Sequence, residues 1–361
     1  MKVLILTNKD DGLYQFRKDL ILKLISMGIE IYVSVPYANA IGQLEELGCK
    51  CINTPFERRG MNPVKDIKLL RNYLSVIREV KPDKVITYTI KPNIYGGIAC
   101  GIRNIPMYAN VTGLGTAFQD DGALTKLVTI MYKTAFKNVQ GVFFENTGNR
   151  DVLVKKGIIP KEKTHCLSGA GVNLKDFAFS EYPQDGDTRF LFIGRMMREK
   201  GINELFASCE RLKKDGYSFA LDVLGDFEES YEEHIKRLED KRILHYHGYQ
   251  SDVKPFIRKA HCFVLPSYHE GMANTLLECG AMGRPLITSN IHGCLEAVDD
   301  GGTGFLCSVR DADDLYVKMK KFIELPYERK KEMGRLSHEY VAERFDKRKV
   351  VDETIKAIFS N

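Results

Sequence analysis

A chain of 361 residues with 44% hydrophobic and 28% charged residues is globular rather than disordered, and long enough for two domains of ordinary size. Its net charge of +5 gives no ground for nucleic-acid binding, although a basic rim facing an acidic membrane stays open. Nine cysteines in no zinc spacing, an opening apolar run too short for a signal peptide, and no stretch near the roughly 18 residues of a membrane span predict a reduced, cytoplasmic protein whose membrane contact would be peripheral.

Lys2 to Asn8 reads as a buried parallel strand, after which Asp10, Asp11 and Gly12 turn into a helix carrying Leu13, Phe16, Leu20, Leu24 and Met27 at helical spacing, closed by Gly28. Glu30 to Val35 is a second strand, and this βαβ opening predicts a doubly wound sheet with ligands beyond its carboxyl edge. Gly12 falls there, either admitting a ligand to the main chain or making a tight turn; G-x-G-x-x-G is absent, so NAD is not expected. Asp66 to Val80 forms an amphipathic helix before the strand that ends at Thr89. TIKPNIYGGIACG and MYANVTGLGTAF then each lead from a strand end into a loop, where Lys91, Asn93, Asn110 and Thr112 suit polar ligand atoms. Leu124 to Asn138 spaces Lys126, Lys133 and Lys137 among apolar residues, which fits either a helix lying on an anionic membrane or one with a core face and a solvent face. Arg58, Arg59, Lys65, Lys68 and Arg71 extend the same basic character.

A second strand-and-helix series follows. The polar stretch Ser180 to Thr188 breaks structure and marks a boundary, giving a first domain over 1–175 and a second over 185–344. In RFLFIGRMMREKG a strand runs into Gly194, then Arg195 and Lys200 ahead of a helix at Ile202; two cations at a helix start are costly unless an anion sits among them. Another strand ends at Gly225, and Tyr249 follows a further one. His245 and His247 alternate on that strand with no acidic or sulfur partner in view, so both read as structural.

The chemistry concentrates in Leu265 to Pro285. A strand breaks at Pro266 and Ser267, a polar turn holds Glu270 and Gly271, and a helix runs from about Asn274 until Gly283 and Pro285 stop it. Unpaired N–H groups at such a helix start can take a diphosphate, and Gly271 allows close approach. Glu270 and Glu278 would accept hydrogen bonds from sugar and ribose hydroxyls; as solvated acids they would be unremarked, but Glu278 lies between Leu277 and Cys279 in a helix with few charges.

HEGMANTLLECGAMGRP resembles the E-x7-E signature of retaining family 4 glycosyltransferases, nucleotide-sugar enzymes of the GT-B fold: two facing Rossmann-like α/β domains with parallel sheets and a last helix, here about 345–361, crossing back to the first. The resemblance implies that Arg195 and Lys200 hold the donor diphosphate, Glu278 the ribose, and Glu270 the donor sugar, with Gly12, Gly194, Gly225, Gly271, Met272, Ala273, Asn274 and Thr275 completing the donor site. Tyr249 would border the nucleobase or pack in the core. YTIKPNIYGGIAC and NVTGLGTAF resemble the loops of a bacterial subgroup that adds a hexose or N-acetylhexosamine to undecaprenyl-diphosphate-linked sugars for capsule, O-antigen or protein glycans. That implies Lys91, Asn93 and Thr112 toward the acceptor, with Asn110 and Thr112 at the catalytic edge where many family members carry a His. The implied reaction is metal-independent, cofactor-free transfer from a UDP-sugar, with Gal or GalNAc foremost, at the inner membrane face. A GDP-mannose donor, a GT-B epimerase and a non-catalytic nucleotide-sugar-binding scaffold are the competing readings.

Overall fold

The computed structural model describes residues 1–57, 60, 62–115, 118 and 122–359; Arg58, Arg59 and part of NVTGLGTAF lie outside the described residues. Two compact units divide the chain, the first comprising Met1–Ala170 with Arg348–Asn361 and the second Gly171–Lys347.

The first unit has seven parallel strands among its described residues: β1 Lys2–Leu6, β2 Glu30–Val35, β3 Lys50–Asn53, β4 Lys84–Tyr88, β5 Met107–Val111, β6 Gly141–Phe144 and β7 Thr164–Cys166. Their order is β3-β2-β1-β4-β5-β6-β7, so the winding reverses between β1 and β4. The continuous apolar runs VLIL and VIT are buried because helices cover both faces of such a sheet. The covering helix Pro63–Val80 starts where the Asn62 side chain accepts from the Val64 and Lys65 N–H groups, and ends at Lys81 in a left-handed conformation. The last helix, Lys347–Phe359, returns to this unit: Val350, Val351 and Ile358 are buried in its core, and Lys84 Nζ donates to the Ile358 carbonyl at 3.0 Å.

Six parallel strands make the second sheet: β8 Thr188–Ile193, β9 Phe219–Leu224, β10 His245–Tyr246, β11 Cys262–Leu265, β12 Leu286–Ser289 and β13 Gly304–Cys307. The order β10-β9-β8-β11-β12-β13 reverses between β8 and β11. In an open α/β sheet the loops leaving two such strands part to opposite faces and leave a crevice for a ligand. The loops after β8 and β11 are those that carry Arg195, Lys200 and Glu270.

Two expectations change. Gly12 sits inside the first turn of the helix Asp10–Ser26 rather than in a turn before it, because the first-turn acids Asp10 and Asp11 suit a helix start. The polar stretch from Ser180 belongs to the body of the second unit. The fully buried Arg284 reaches it, donating to the carbonyls of Ser180 and Glu181 and the Ser180 hydroxyl as well as to the carbonyls of Ile257, Arg258 and Gly283. Tyr182 adds a bond from its hydroxyl to the His261 carbonyl at 2.8 Å.

Candidate active site

In the second unit the site is made by backbone closeness first. Gly194 N–H donates to the Leu224 carbonyl at 2.9 Å, and Gly225, at φ 136°, lies against the Gly194 carbonyl, where a Cβ would overlap it. Gly201, at φ 70°, meets the Pro266 carbonyl in the same way, so the loops after β8 and β11 touch at a point that admits no side chain. A bond from Tyr268 N–H to the Glu199 carbonyl, 2.8 Å, continues the seam.

That seam brings Lys200 Nζ to 2.5 Å from Glu270 Oε1, with both side chains largely buried. Arg195 turns to the open side and pairs with Glu228 at 3.0 Å. The following helix, Asn274–Ala281, has no side-chain cap at its start; Ala273 N–H bonds to the Gly293 carbonyl at 2.9 Å, and the Asn274 Oδ1 is buried without a partner in the fold. Met272 and Ala273 are buried, while Gly271 and Thr275 are half-buried at the lip. One turn further along, half-buried Glu278 has its carboxyl pushed up from 4.5 to about 7 by desolvation, opposed by Lys347 and Lys254. The site thus sets two cations and an uncapped helix start beside two carboxylates, a set matched to a diphosphate flanked by hydroxyl groups.

Tyr249 is 68% exposed, which removes core packing as its role. His247 has the acidic partner that the sequence hid: its Nε2 lies 2.8 Å from Asp222 Oδ1, and Arg189 holds the other carboxylate oxygen at 2.7 Å. Asp222 is on the neighbouring strand β9, out of sight in a reading along the chain.

In the first unit the polar residues expected at the acceptor are mostly engaged in the fold. Lys91 Nζ pairs with the buried Asp66 at 2.9 Å. Asn93 is 1% exposed: it accepts from the Thr87 hydroxyl at 2.6 Å and donates to the Asn110 carbonyl at 2.9 Å. The Asn110 amide in turn donates to the Thr87 carbonyl at 3.3 Å. Asn93 and Asn110 therefore tie β4 to β5 rather than face a ligand, because each amide meets its partners inside the protein. Thr112 is half-buried just past β5, and a Cβ on Gly12 would meet only Lys9 at 3.8 Å, so Gly12 is not needed for its own unit's packing. Two features at this edge had no sequence signal as a pair or as a strain. Arg17 and Glu145 form a buried ion pair at 2.8 Å, with the guanidinium 5.1 Å from the Tyr88 ring centre, and Thr89 adopts φ 73°.

Comparison with known proteins agrees with this architecture. Residues 175–338 match the family model described as glycosyl transferases group 1, and residues 2–146 match glycosyl transferase 4-like. The chain is 29% identical to the N,N'-diacetylbacillosaminyl-diphospho-undecaprenol alpha-1,3-N-acetylgalactosaminyltransferase of Campylobacter jejuni, covering 90% of each chain. It is 26% identical to an Escherichia coli UDP-Gal:alpha-D-GlcNAc-diphosphoundecaprenol alpha-1,3-galactosyltransferase, over 71% of this chain and 70% of that one. The solved structure of Anabaena HepE in complex with UDP-glucose superposes with a TM-score of 0.81 at 15% identity, covering 100% of both chains. With glycosyltransferase models matching both units and a glycosyltransferase relative spanning nearly the whole length, the chain belongs to the glycosyltransferases of the GT-B fold.

Proposed function

We propose that this glycosyltransferase moves a hexose or N-acetylhexosamine, with galactose or N-acetylgalactosamine foremost, from a UDP-sugar to a saccharide carried on undecaprenyl diphosphate, with retention at the anomeric carbon. The observation that carries this reading is the Lys200–Glu270 contact beside an uncapped helix start. Lys200, Arg195 and the N–H groups from Asn274 onward would stabilise the charge that develops on the leaving UDP, so the residues present can do this work without a metal. The Glu278 carboxylate would accept the ribose hydroxyls and Glu270 a hydroxyl of the donor sugar. Attack would come on the face from which UDP leaves, with the donor phosphate taking the acceptor's proton. The names of the Campylobacter and Escherichia relatives support the donor and acceptor classes, and the UDP-glucose complex of HepE supports UDP.

Among the described residues no helix is long and apolar enough to cross a membrane. The helix Ala123–Ala135 instead exposes Leu124, Leu127 at 46% and Ile130 at 62%, with Lys126, Lys133 and the adjoining Lys137 exposed and no acid in its sequence. The helix Pro63–Val80 adds exposed Ile67, Lys65, Lys68 and Arg71, and its Asp66 is buried against Lys91. Such a surface fits peripheral contact with an anionic bilayer, where a lipid-linked acceptor would be presented.

The reading is tested by thermal melting of wild type and Glu278→Ala with UDP, GDP, ADP and dTDP. UDP alone should stabilise the wild type, by about 2.7 kcal/mol at roughly 100 times its Kd, and the variant less. A response to GDP would move the donor to a GDP-sugar, and no response to any of the four would overturn the nucleotide-sugar assignment.

A further inference from the structure

Thr89 is the first residue beyond β4, at the point where the first sheet reverses its winding, and three observations on it converge. Its φ is 73°, and among the described non-glycine residues with positive φ (Lys81, Asn104, Arg242 and Arg310 are the others) it is the only β-branched one. A β-branched side chain is disfavoured in that region, whereas glycine enters it freely. Its hydroxyl is buried with no hydrogen-bond partner. Around it the fold engages the neighbouring polar groups: Thr87 bonds to Asn93, Lys91 pairs with Asp66, and Asn93 N–H donates to the Thr89 carbonyl at 2.9 Å.

The main chain at this position asks for glycine and the fold makes no use of the threonine hydroxyl. Tyr73, Ser267, Ser289 and Ser337 also bury a hydroxyl without a partner, but among these described residues Thr89 alone joins that to a left-handed backbone, and strained residues gather at ligand sites. We propose that Thr89 is a specificity-determining residue for the acceptor, its hydroxyl reserved for a hydrogen bond with a hydroxyl of the acceptor sugar. The residue as a whole is half-buried, and a bond to a ligand would call for rotation about χ1, which exchanges the positions of its hydroxyl and methyl while the backbone stays in place. This inference rests on the transferase reading above and names one of its contacts.

The test uses the full chain with UDP-galactose or UDP-N-acetylgalactosamine as donor and GlcNAc-diphosphoundecaprenol in detergent as acceptor. Thr89→Val keeps the shape and removes the hydroxyl, Thr89→Ser keeps the hydroxyl, and Thr89→Gly relieves the backbone. The valine and glycine variants should raise the KM for the acceptor about tenfold or more, with the KM for the donor unchanged, and serine should restore most of the loss. In the absence of ligands, the valine and glycine variants should melt no lower than the wild type. Equal acceptor KM values for valine and threonine would overturn the inference while leaving the transferase reading intact. Should the wild type transfer to no acceptor, the transferase reading falls first, and the melting comparison still decides the matter here: a valine variant less stable than threonine means the hydroxyl serves the fold and the inference is wrong.

Discussion

Lys200 Nζ lies 2.5 Å from Glu270 Oε1, and the contact joins the two loops that leave the second sheet where its winding reverses. In the proposed reaction this carboxylate would hold the cation ready until the donor's diphosphate displaces or shares it. Replacing Lys200 by Met should lower kcat/KM by about 100- to 1,000-fold, the range for losing one electrostatic contact to a leaving group. It should also abolish most of the thermal response to UDP. A Lys200→Met enzyme with wild-type kinetics would remove the lysine from the mechanism.

The Glu278 carboxyl, raised from 4.5 to about 7, ties stability to pH with a defined sign. A carboxyl that holds its proton more tightly when folded favours the folded state fully below about 4.5, and that contribution is lost as pH rises through about 7. Glu278→Gln should therefore melt close to the wild type at pH 4.5 and above it at pH 8. Nucleotide binding should run the other way, since in the proposed site ribose hydroxyls would donate to the charged form: the wild-type UDP response should strengthen between pH 6 and pH 8, and the glutamine variant's should be small and flat. A melting difference that is the same at both pH values would remove the desolvated carboxyl from the account.

Gly201→Ala separates backbone strain from loop closure. The new Cβ would overlap the Pro266 carbonyl, so the two loops must part and the Lys200–Glu270 contact must open. Gly216 has a similar φ of 86° with nothing within 4 Å of its Cβ position, and serves as the control. Gly216→Ala should cost about 1–2 kcal/mol of stability with UDP affinity kept. Gly201→Ala should cost more than that and lose UDP affinity as well. Equal effects at the two sites would mean that the seam does not position the lysine.

Charge reversal on the outer helix of the first unit tests the bilayer contact. Each exposed cation near an anionic surface contributes about 1 kcal/mol, so a Lys126→Glu, Lys133→Glu, Lys137→Glu variant should partition onto phosphatidylglycerol vesicles at least about 100-fold more weakly. Ile130→Ser should weaken binding at high salt, where the charges are screened. Sedimentation with vesicles measures both, and a wild type that stays in the supernatant ends the proposal.

What could be read along the chain was whatever depends on neighbours in sequence. The buried strands, the glutamate pair and the two cations lie in local patterns, and the structure assembles the last two at one switch point. What escaped depends on partners from other elements. Lys91 and Asn93 looked available because Asp66, Thr87 and Asn110 sit on a different helix and on strands. His247 looked unpartnered because parallel pairing sets β10 beside β9, with Asp222 opposite His245. Thr89's strain has no signature in residue type, since threonine is an ordinary strand residue; only the φ reveals it.

Arg284 has a consequence for anyone dividing the molecule. Among the described residues no carboxylate pairs with its guanidinium; carbonyls and one hydroxyl solvate it, and burial lowers its pKa to about 10. Several of those oxygens belong to Ser180 and Glu181, in the stretch whose sequence reads as a boundary between domains. A second unit expressed on its own from Gly171 carries its own solvation for the arginine, whereas one begun at Thr188 strands a buried cation a few residues past the helix that holds Glu278.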